Sequence, residues 1–478
     1  MTKFDLREWL ETARASDQLD TVNGADAALE IGAASQLNYR RKVPKALVFD
    51  DIKGYGPGYR VLTGSVSNPK LLGMTLNLGS DLSDLELVEI LRGKPQQWLK
   101  ASADFPAREV ASGPVLENVA KKGEINFLDF PSPVWHEHDG GPYIGTGCAV
   151  ITSDPDTGVL NLGAYRMQVQ DNGAALSINA ESGKHGFQHI TKWFEKEGRA
   201  PVAATLGQHP VFLVVAGTEV PTGVSELDYA GAIMGEGVPF VRGPDTGLPI
   251  PAESELAFEG WLYPERKRPE GPFGEWTGYY SGDVTPVLTV EVTGLFYRND
   301  PIVLGAPPGK PPHDYSYMRS VMKSAMAADA LTGMGLAGVA GVWCHEVGGG
   351  RSIIAVAIQQ RYAGHSRQAG YLLAQHPVTA YMNRFVIVVD SDINPRDLGE
   401  VMWAVSTRCD PGRDIEIMRY SWGSRVDPLG LAGQPAYNTR ALIDACRPFE
   451  RLNDFPLVAE SSAEVLGRVA KKWPGLKE

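Results

Sequence analysis

Two glutamates, Glu270 and Glu275, share a segment that is rich in glycine, proline and aromatic residues. The segment reads PEGPFGEWTGYYSGD over residues 269–283. Its prolines and glycines disfavour a helix and a central strand, so the two carboxylates are predicted to lie on a fixed turn. A carboxylic acid held against apolar walls suits proton transfer, because desolvation raises the pKa of such a group towards the working pH. The segment therefore predicts an acid–base site.

Two polar residues, Asn161 and Arg166, interrupt the otherwise apolar and strand-like segment VLNLGAYRMQVQ. Residues five apart on a strand point to opposite faces, unless a bulge at Gly163 changes the register. Further along, His189 lies in SGKHGFQHI, and Glu226 lies in GVSELDYAGA, ahead of a helix of small residues. Taken singly, these residues also fit plainer roles: a surface ion pair for Arg166, a core histidine for His189 and a helix-capping acid for Glu226.

Two further motifs suggest ligand sites but lack the context that such sites need. Residues 333–338 read GMGLAG, which matches the dinucleotide fingerprint, but a helix is predicted before it and a strand after it. Because a pyrophosphate site needs the reverse order, a helix stop with a tight turn is favoured. His136 and His138 in WHEHDGG fit an H-x-H metal site, but no third ligand follows at a matching spacing, so polar loop residues are favoured.

The composition excludes several classes of partner. The 478 residues carry 45 basic and 57 acidic side chains, a net charge of −12, so nucleic acid and anionic membranes are poor partners. The start of the chain lacks the apolar core of a signal peptide, and no stretch has the roughly 18 apolar residues of a membrane span, which predicts a soluble cytoplasmic protein. The cysteines form no C-x-x-C pair, which predicts reduced, structural thiols.

The length of the chain and its pattern of predicted helices and strands predict an α/β (α+β) multidomain protein, because 478 residues exceed the size at which one hydrophobic core keeps growing. Residues 1–115 predict an N-terminal α/β domain that begins with an amphipathic helix at DLREWLETARASDQ. Residues 116–310, with a hairpin at GCAVITSDPDTGVLNLGAYRMQVQ and a strand at PVFLVVAG, predict a barrel or sandwich. Residues 311–334 predict a long connecting helix, and residues 335–478 a C-terminal α/β domain with a final amphipathic helix as an oligomer contact.

The order of these motifs resembles the UbiD family of prenylated-FMN-dependent decarboxylases. The resemblance rests on N-x-x-x-x-R, Q-H-I, S-E ahead of A-G-A, E-G-P-F-G-E, V-V-D-x-D-I and A-V-S-T-R-x-x-P-x-R-D, and it covers nearly the whole chain. It implies that Glu270 and Glu275 are the two active-site acids and that Arg166 is their partner. It also implies that the central domain is a split β-barrel that binds flavin.

The same resemblance implies a cofactor and its ligands. In that family prenylated FMN is bound with its phosphate bridged by Mn²⁺, or by Mg²⁺, and with K⁺ nearby. Asn161, His189 and Glu226 would be the metal ligands, a set that suits these ions better than zinc, with His185 as a rival to His189. The implied cofactor-binding residues are Gly163, Ala164, Tyr165, Arg166, Gln188, His189 and Arg384.

The implied reaction is the reversible, non-oxidative decarboxylation of an aromatic or heteroaromatic acid, with Glu275 as the proton donor. A UbiX-like flavin prenyltransferase would supply the cofactor, and a homodimer or homohexamer is expected. The aromatic residues of the glutamate segment favour a planar substrate, and the candidates to face it are Lys310, His313 and Arg319. Two alternatives stay open: an FMN-dependent reductase with a split-barrel flavin domain, and a metal-dependent hydrolase that uses the two histidines of WHEHDGG.

Overall fold

The computed structural model describes residues 3–180, 183–218, 220–280, 282–430 and 434–476. Its N-terminal region alternates helices and short strands: α1 (Leu6–Ala15), β1 (Leu19–Asn23), α2 (Glu30–Tyr39), β2 (Ala46–Asp50), β3 (Arg60–Thr63), α3 (Pro69–Thr75), α4 (Asp84–Leu91), α5 (Lys94–Ala101) and β4 (Arg108–Glu109). The predicted first helix is confirmed, because α1 is capped by Asp5 and buries one apolar face. Trp9 Nε1 on that face donates a hydrogen bond to Thr75 Oγ1 (3.0 Å), which ties α1 to α3.

The central region consists mainly of strands. Its elements are β5 (Asn118–Lys121), β6 (Ala149–Ser153), β7 (Leu160–Gly163), β8 (Val169–Gln170), β9 (Ala175–Ile178), α6 (His185–Glu197), β10 (Ala200–Gly207), α7 (Pro210–Ala216), α8 (Glu226–Met234), β11 (Pro239–Arg242), β12 (Pro249–Pro251), β13 (Leu256–Leu262), β14 (Lys267–Glu270), β15 (Thr285–Tyr297) and β16 (Ile302–Leu304). One antiparallel sheet follows the order β7-β6-β10-β13-β15-β9-β8, and its long strand β15 also pairs with β14 and β5. Two strands connect this region to the N-terminal one: β16 completes the sheet β1-β2-β3-β16, and β4 joins β11 and β12.

The predicted hairpin is confirmed by β6 and β7, which pair antiparallel. Asp154 N donates to Val159 O (2.9 Å) across the turn. Strand β7 contains Asn161 and ends at Gly163, so Arg166 lies beyond the strand. The rule that places residues five apart on opposite faces of a strand therefore does not apply to Asn161 and Arg166.

The segment PVFLVVAG, predicted to be a strand, is the helix α7. Pro210 occupies its first turn, where the missing N–H costs nothing, and His209 Nδ1 accepts a hydrogen bond from Val211 N (3.1 Å) at its cap. Residues 210–215 are all buried, so the run has no polar face that would reveal a helical period. The prediction was wrong because a fully buried apolar run looks alike in helices and strands.

The C-terminal region alternates strands and helices after one long helix. Its elements are α9 (Asp314–Gly333), β17 (Val339–Cys344), β18 (Ile353–Ile358), α10 (His365–Gln375), α11 (Pro377–Ala380), β19 (Phe385–Asp390), α12 (Leu398–Arg408), α13 (Pro411–Asp414), β20 (Ile415–Trp422), β21 (Tyr437–Ala445) and α14 (Ala463–Lys472). The strands form a sheet in the order β17-β18-β19-β21-β20, in which β18, β19 and β21 are parallel neighbours.

The long helix α9 connects the N-terminal region to the C-terminal sheet. At the end of α4, Arg92 Nε and Gly93 N donate to the two carboxylate oxygens of Asp329 on α9 (3.2 and 2.6 Å). On its other side, α9 packs against β17, where Leu331 shares a hydrophobic core with Val342. The predicted connecting helix is therefore present and is fixed on both sides.

Residues 333–338 form the predicted helix stop and turn. Helix α9 ends at Gly333, and β17 begins at Val339. Gly335 and Gly338 have φ angles of +82° and +75°, which glycine adopts without a steric cost. The order helix then strand leaves no helix N-terminus here to hold a pyrophosphate.

The predicted mixed α/β, multidomain fold class is confirmed by these sheets and their helices. Helix α14 has no buried residue among those that are described, and its role as an oligomer contact stays a prediction, as do the domain boundaries near residues 115, 310 and 334. A search of the described helices found none with both the length and the apolar character needed to cross a bilayer.

Candidate active site

Arg166 joins the two glutamates of the 269–283 segment. Its Nε and Nη2 donate to Glu270 Oε1 and Oε2 (2.8 and 3.0 Å), and its Nη1 donates to Glu275 Oε1 (2.6 Å). The contact with Glu270 is bidentate, a geometry that adds both strength and direction to a guanidinium–carboxylate pair. The structure thus brings the three residues together, while their catalytic roles stay predictions.

The two carboxylates differ in their surroundings. The Glu270 side chain is 0 % exposed, whereas the Glu275 side chain is 20 % exposed. Glu270 also accepts hydrogen bonds from Tyr143 Oη (2.9 Å) and Asn179 Nδ2 (3.0 Å). Glu270 is therefore held from several sides, and Glu275 is the more accessible of the two acids.

Burial and neighbouring charges together set the electrostatics of this cluster. Burial opposes the charge of Arg166, but the hydrogen bonds and charges of the two glutamates outweigh it and raise the pKa of Arg166 above its ordinary value. Burial, followed by the charge of Glu270, raises the pKa of Tyr143 far above its ordinary value, so its phenol keeps its proton and donates a hydrogen bond to Glu270. The Phe273 ring covers the cluster, with its centroid 4.0 Å from that of Tyr143 and 5.3 Å from Arg166 Cζ.

The turn after Glu270 packs closely against residues 136–143. Gly140 N donates to Pro272 O (2.8 Å), and a Cβ at Gly140 would lie 1.9 Å from Gly271 O. Any side chain at position 140 must therefore displace the backbone that follows Glu270.

Gly140→Ala is expected to lower kcat about 10²-fold with the fold retained, because a shift of about 1 Å in a positioned catalytic group has this effect. The measurement is kcat per bound cofactor for both proteins. Gly333→Ala is the matched control, since a Cβ there meets no atom within 4 Å. Equal kcat values for Gly140→Ala and the control would contradict the importance of this close approach.

Asn161, His189 and Glu226 converge on the β6–β7 hairpin. Asn161 lies in β7, His189 in α6, and Glu226 is the first residue of α8. Glu226 Oε2 accepts a hydrogen bond from Leu162 N (3.1 Å), and His189 Nδ1 lies 3.2 Å from Thr152 Oγ1 on β6. All three predicted metal ligands are buried.

The pKa shifts of Glu226 and His189 are those of buried side chains that can act as metal ligands. Burial raises the pKa of Glu226 to about 7, and burial also lowers the pKa of His189 although the charge of Asp154 opposes that shift. Over the described ranges, no cluster of three or more His, Cys, Asp or Glu side chains is arranged to hold a metal. A metal at this place therefore depends on Asn161 as the third donor.

Tyr165 fills the space between β7 and α6. Glycines at positions 163 and 186 make room for it, because a Cβ at Gly163 or Gly186 would lie 2.5 or 2.6 Å from its ring or hydroxyl. Its Oη accepts a hydrogen bond from Gly186 N (3.2 Å) and lies 3.5 Å from Asn161 Nδ2. Gly163 and Tyr165 thus belong to the same cluster as the predicted metal ligands.

Three other predicted residues lie at the edge of this cluster. Ala164 is partly buried, and Gln188 is exposed on α6. His185 Nε2 lies 3.0 Å from Thr222 Oγ1, so His185 contacts the segment before α8, whereas His189 contacts β6. The geometry favours His189 over His185 as the ligand, and the assignment stays a prediction.

Arg384 lies apart from β7, in the C-terminal region. Its guanidinium pairs with Asp427. The neighbouring Val426 O accepts a hydrogen bond from Thr277 Oγ1 (3.4 Å), so this loop touches the glutamate segment. No hydrogen bond or ion pair seen in the described residues joins Arg384 to β7, α6 or α8, and its role towards the cofactor stays a prediction.

Sequence reasoning missed Tyr143 and Asn179, which hold Glu270, because both stand in segments without a recognisable motif. It named His313 only as a candidate to face the substrate. The His313 residue is 3 % exposed, and its ring lies beside the backbone of Trp276. Burial lowers the pKa of His313 to about 3, so the ring is neutral.

Three domain models of 3-octaprenyl-4-hydroxybenzoate carboxy-lyase match this chain. The N-terminal domain matches residues 10–91, the Rift-related domain residues 108–311, and the C-terminal domain residues 316–445. The chain belongs to the UbiD family. The family and the carboxy-lyase class expected from the sequence are thereby confirmed, and the acid pair of this UbiD protein lies in the Rift-related domain.

Several UbiD relatives are named as decarboxylases of aromatic acids. The chain is 30% identical to the phenolic acid decarboxylase of Sedimentibacter hydroxybenzoicus, over 93% of this chain and 92% of that protein. It is also 30% identical to the pyrrole-2-carboxylic acid decarboxylase of Pseudomonas aeruginosa, over 86% of this chain and 84% of that protein. The structure of the UbiD-class enzyme HmfF from Pelotomaculum thermopropionicum in complex with FMN matches with a TM-score of 0.83 and 27% identity, over 96% of this chain and 98% of that one. An evolved dimeric form of HmfF is in complex with prenylated FMN and matches with a TM-score of 0.80.

Proposed function

We propose that this UbiD protein uses prenylated FMN to decarboxylate an aromatic or heteroaromatic carboxylic acid, with Glu275 as the proton donor. The observation that carries the proposal is Arg166 held between a buried and a more accessible glutamate. Such an arrangement provides the proton that must replace CO₂ on the substrate carbon. The named relatives support the substrate class, since one acts on phenolic acids and another on pyrrole-2-carboxylic acid.

Each residue of the cluster has a distinct task in this proposal. Glu270, bonded by Tyr143 and Asn179, is the fixed anion that orients the guanidinium. Arg166 aligns Glu275 through Nη1 and offers its charge to the substrate carboxylate. Glu275 then delivers its proton to the carbon that has lost CO₂, and takes it back when the reaction runs as carboxylation at high CO₂.

Asn161, His189 and Glu226 would together hold a divalent cation beside a bound cofactor. Glu226 supplies the negative charge. Asn161 Nδ2 contacts Tyr165 Oη and His189 Nδ1 contacts Thr152 Oγ1, so Asn161 Oδ1 and His189 Nε2 are the atoms that remain as metal ligands. One carboxylate, one amide oxygen and one imidazole suit Mn²⁺ or Mg²⁺. K⁺ is proposed from the family resemblance alone. When bound, prenylated FMN would supply the acceptor for the electron pair that CO₂ leaves behind.

Glu226→Gln is expected to weaken Mn²⁺ binding at least about tenfold, because glutamine removes the negative charge of the donor set. The measurement is metal content by plasma mass spectrometry after dialysis against a fixed Mn²⁺ concentration. Glu195→Gln, an exposed change on α6, is the control that keeps wild-type metal content. Equal Mn²⁺ content in both variants would remove Glu226 from the proposed ligand set.

The surroundings of Glu275 favour a planar acid that carries a polar substituent or a ring heteroatom. Trp276 follows Glu275 directly, and Arg351 Cζ lies 5.6 Å from its ring centroid. The neutral His313 ring lies beside the Trp276 backbone, and an imidazole nitrogen is a group that can bond a hydroxyl group or a ring N–H. Hydroxybenzoates and pyrrole or indole carboxylates are therefore the acids to screen first.

Three further parts of the proposal rest on the family resemblance. A UbiX-like flavin prenyltransferase supplies the cofactor. The protein assembles as a homodimer or homohexamer through its C-terminal region, where α14 exposes Leu466 beside Trp473. It works in the cytoplasm.

The test is to co-express the chain with a flavin prenyltransferase, record its visible spectrum and weigh the released cofactor by mass spectrometry. Prenylated FMN, followed by CO₂ release from an aromatic acid in the screen, is the expected result. Plain FMN with oxidation of a nicotinamide would instead establish the reductase alternative. A colourless protein that contains zinc would establish the hydrolase alternative at His136 and His138.

A further inference from the structure

Asp84 connects three parts of the fold through one carboxylate. It is the first residue of α4, and its Oδ1 accepts a hydrogen bond from Tyr317 Oη on α9 (2.5 Å). Its Oδ2 pairs with Arg396 Nη2, from the loop between β19 and α12. The same guanidinium lies 5.6 Å from the Trp343 ring on β17. The N-terminal region, the connecting helix and the C-terminal region therefore meet at this contact.

A second acid, Glu346, lies beside this contact in the turn after β17. The charged and titratable groups that face it are Asp84 from α4, Tyr317 from α9 and Arg396 from the β19–α12 loop. Burial and then the charge of Asp84 raise the pKa of Glu346 to about 7, while Arg396 opposes this shift. We call Asp84, Tyr317, Glu346 and Arg396 the interdomain latch.

The turn that begins beside the latch ends against the wall of the candidate active site. Three hydrogen bonds of 2.7–3.1 Å close residues 345–350. A Cβ at Gly349 would lie 2.4 Å from Trp276 Cε3, so the turn backbone is packed directly onto this ring. Gly349 O also accepts a hydrogen bond from Arg319 Nη1 (3.3 Å) on α9. A shift of the turn must therefore move Trp276, the residue after Glu275.

We propose that the interdomain latch positions the 345–350 turn against Trp276 and thereby aligns the loop that carries Glu275. Arg396 and Asp84 are positioning residues in this inference, since neither belongs to the acid pair or to the predicted metal ligands. The effect on catalysis rests on the proposed function, whereas the effect on the loop does not.

The latch is pH-dependent because Glu346 is buried beside the Asp84–Arg396 ion pair. Arg396 pairs with Asp84, and an ionised Glu346 adds a second, desolvated negative charge beside that pair, which Asp84 repels and Arg396 only partly offsets. The pKa of Glu346 in the fold, about 7, lies above its ordinary value of 4.5. Its contribution to stability is therefore complete below about pH 4.5 and is lost as the pH rises through about 7. The latch therefore stabilises the fold more at about pH 5 than at pH 8.

The test compares hydrogen exchange in the full chain of wild type, Arg396→Met and Arg451→Met, without cofactor, at one pH. Arg451→Met breaks an exposed ion pair with Asp454 and is the matched control. The reporters are amides of the 345–350 turn and of the glutamate loop, where Gly278 N donates to Glu275 O (2.8 Å). About tenfold faster exchange of both reporters in Arg396→Met alone is expected, as one charge-assisted contact is lost. Exchange equal to that of the control would overturn the proposal.

The stability of Glu346→Gln and the kcat of Arg396→Met are two further tests of the latch. If Arg396→Met does not fold, Glu346→Gln replaces it: this variant lacks the second negative charge, so its stability gain over wild type should grow between pH 5 and pH 8, and a constant difference would overturn the pH dependence. With active enzyme, Arg396→Met should lower kcat about tenfold with little change in KM, and an unchanged kcat would overturn the link to Glu275. If wild type releases no CO₂ from any acid, the proposed function fails, and the exchange experiment still decides the latch.

Discussion

Replacing Glu275 with glutamine is expected to lower kcat about 10²- to 10⁴-fold, the range that a positioned general acid contributes. Glutamine keeps the shape of the side chain and an oxygen for Arg166 Nη1, but it has no proton to give at neutral pH. The measurement is CO₂ release at saturating substrate, divided by the cofactor content read from the visible spectrum. Because the predicted metal ligands are untouched, that content should equal the wild-type value.

Glu265→Gln is the control for this change, since Glu265 is an exposed acid just before β14 and should keep wild-type kcat. A Glu275→Gln variant with wild-type turnover would assign the proton to another donor, and Glu270→Gln would be tested next. A loss of cofactor from Glu275→Gln would instead show that Glu275 also helps to hold the cofactor.

Arg166→Met is expected to abolish turnover and to lower the free energy of unfolding by about 3 kcal/mol. The change leaves the carboxylate of Glu270 buried without its cation, and Tyr143 and Asn179 replace only part of the lost interaction. The lower end of the range for broken buried pairs applies, because the Arg166 side chain is 23 % exposed and hence partly screened. Urea unfolding, followed by tryptophan fluorescence at pH 7, measures the change.

The double variant Arg166→Met, Glu270→Gln separates stability from catalysis. Removing the buried charge as well should restore most of the lost stability, because a neutral amide still accepts from Tyr143 and Asn179. Turnover should stay absent, since nothing then aligns Glu275. If the double variant is as unstable as Arg166→Met, the cost comes from lost packing against Phe273, and the ion-pair explanation fails.

The parts of the fold that the sequence predicted well are those with a local cause. The amphipathic spacing in α1, the Asp-Gly-rich turn between β6 and β7 and the glycines after α9 each determine their own backbone within a few residues. The E-G-P-F-G-E segment belongs to the same group, because its prolines and glycines fix a turn whatever surrounds it. Family resemblance then identified Arg166 as the partner of both acids, which spacing along a strand could not do.

The parts that escaped prediction depend on segments far apart in the chain. Gly140 matters only because the turn at Gly271 passes within contact distance of it. Asp84 resembles any acid at a helix start until Arg396 and Tyr317 are placed beside it. Helix α7 was misassigned for a related reason, since burial on all sides comes from its tertiary neighbours and removes the polar face that marks a helix.

The short segment from Asn161 to Arg166 limits the distance between the predicted metal site and the acid pair. It carries one predicted metal ligand at its start and the partner of the acid pair at its end, and five residue steps of chain cannot span more than about 17 Å. In the proposed function, a cofactor held at the first end would therefore have its reactive ring within that reach, plus the length of the side chains. One added residue here would lengthen the backbone between the predicted metal ligand and the partner of the acid pair, and so would change the length of ligand that can reach both.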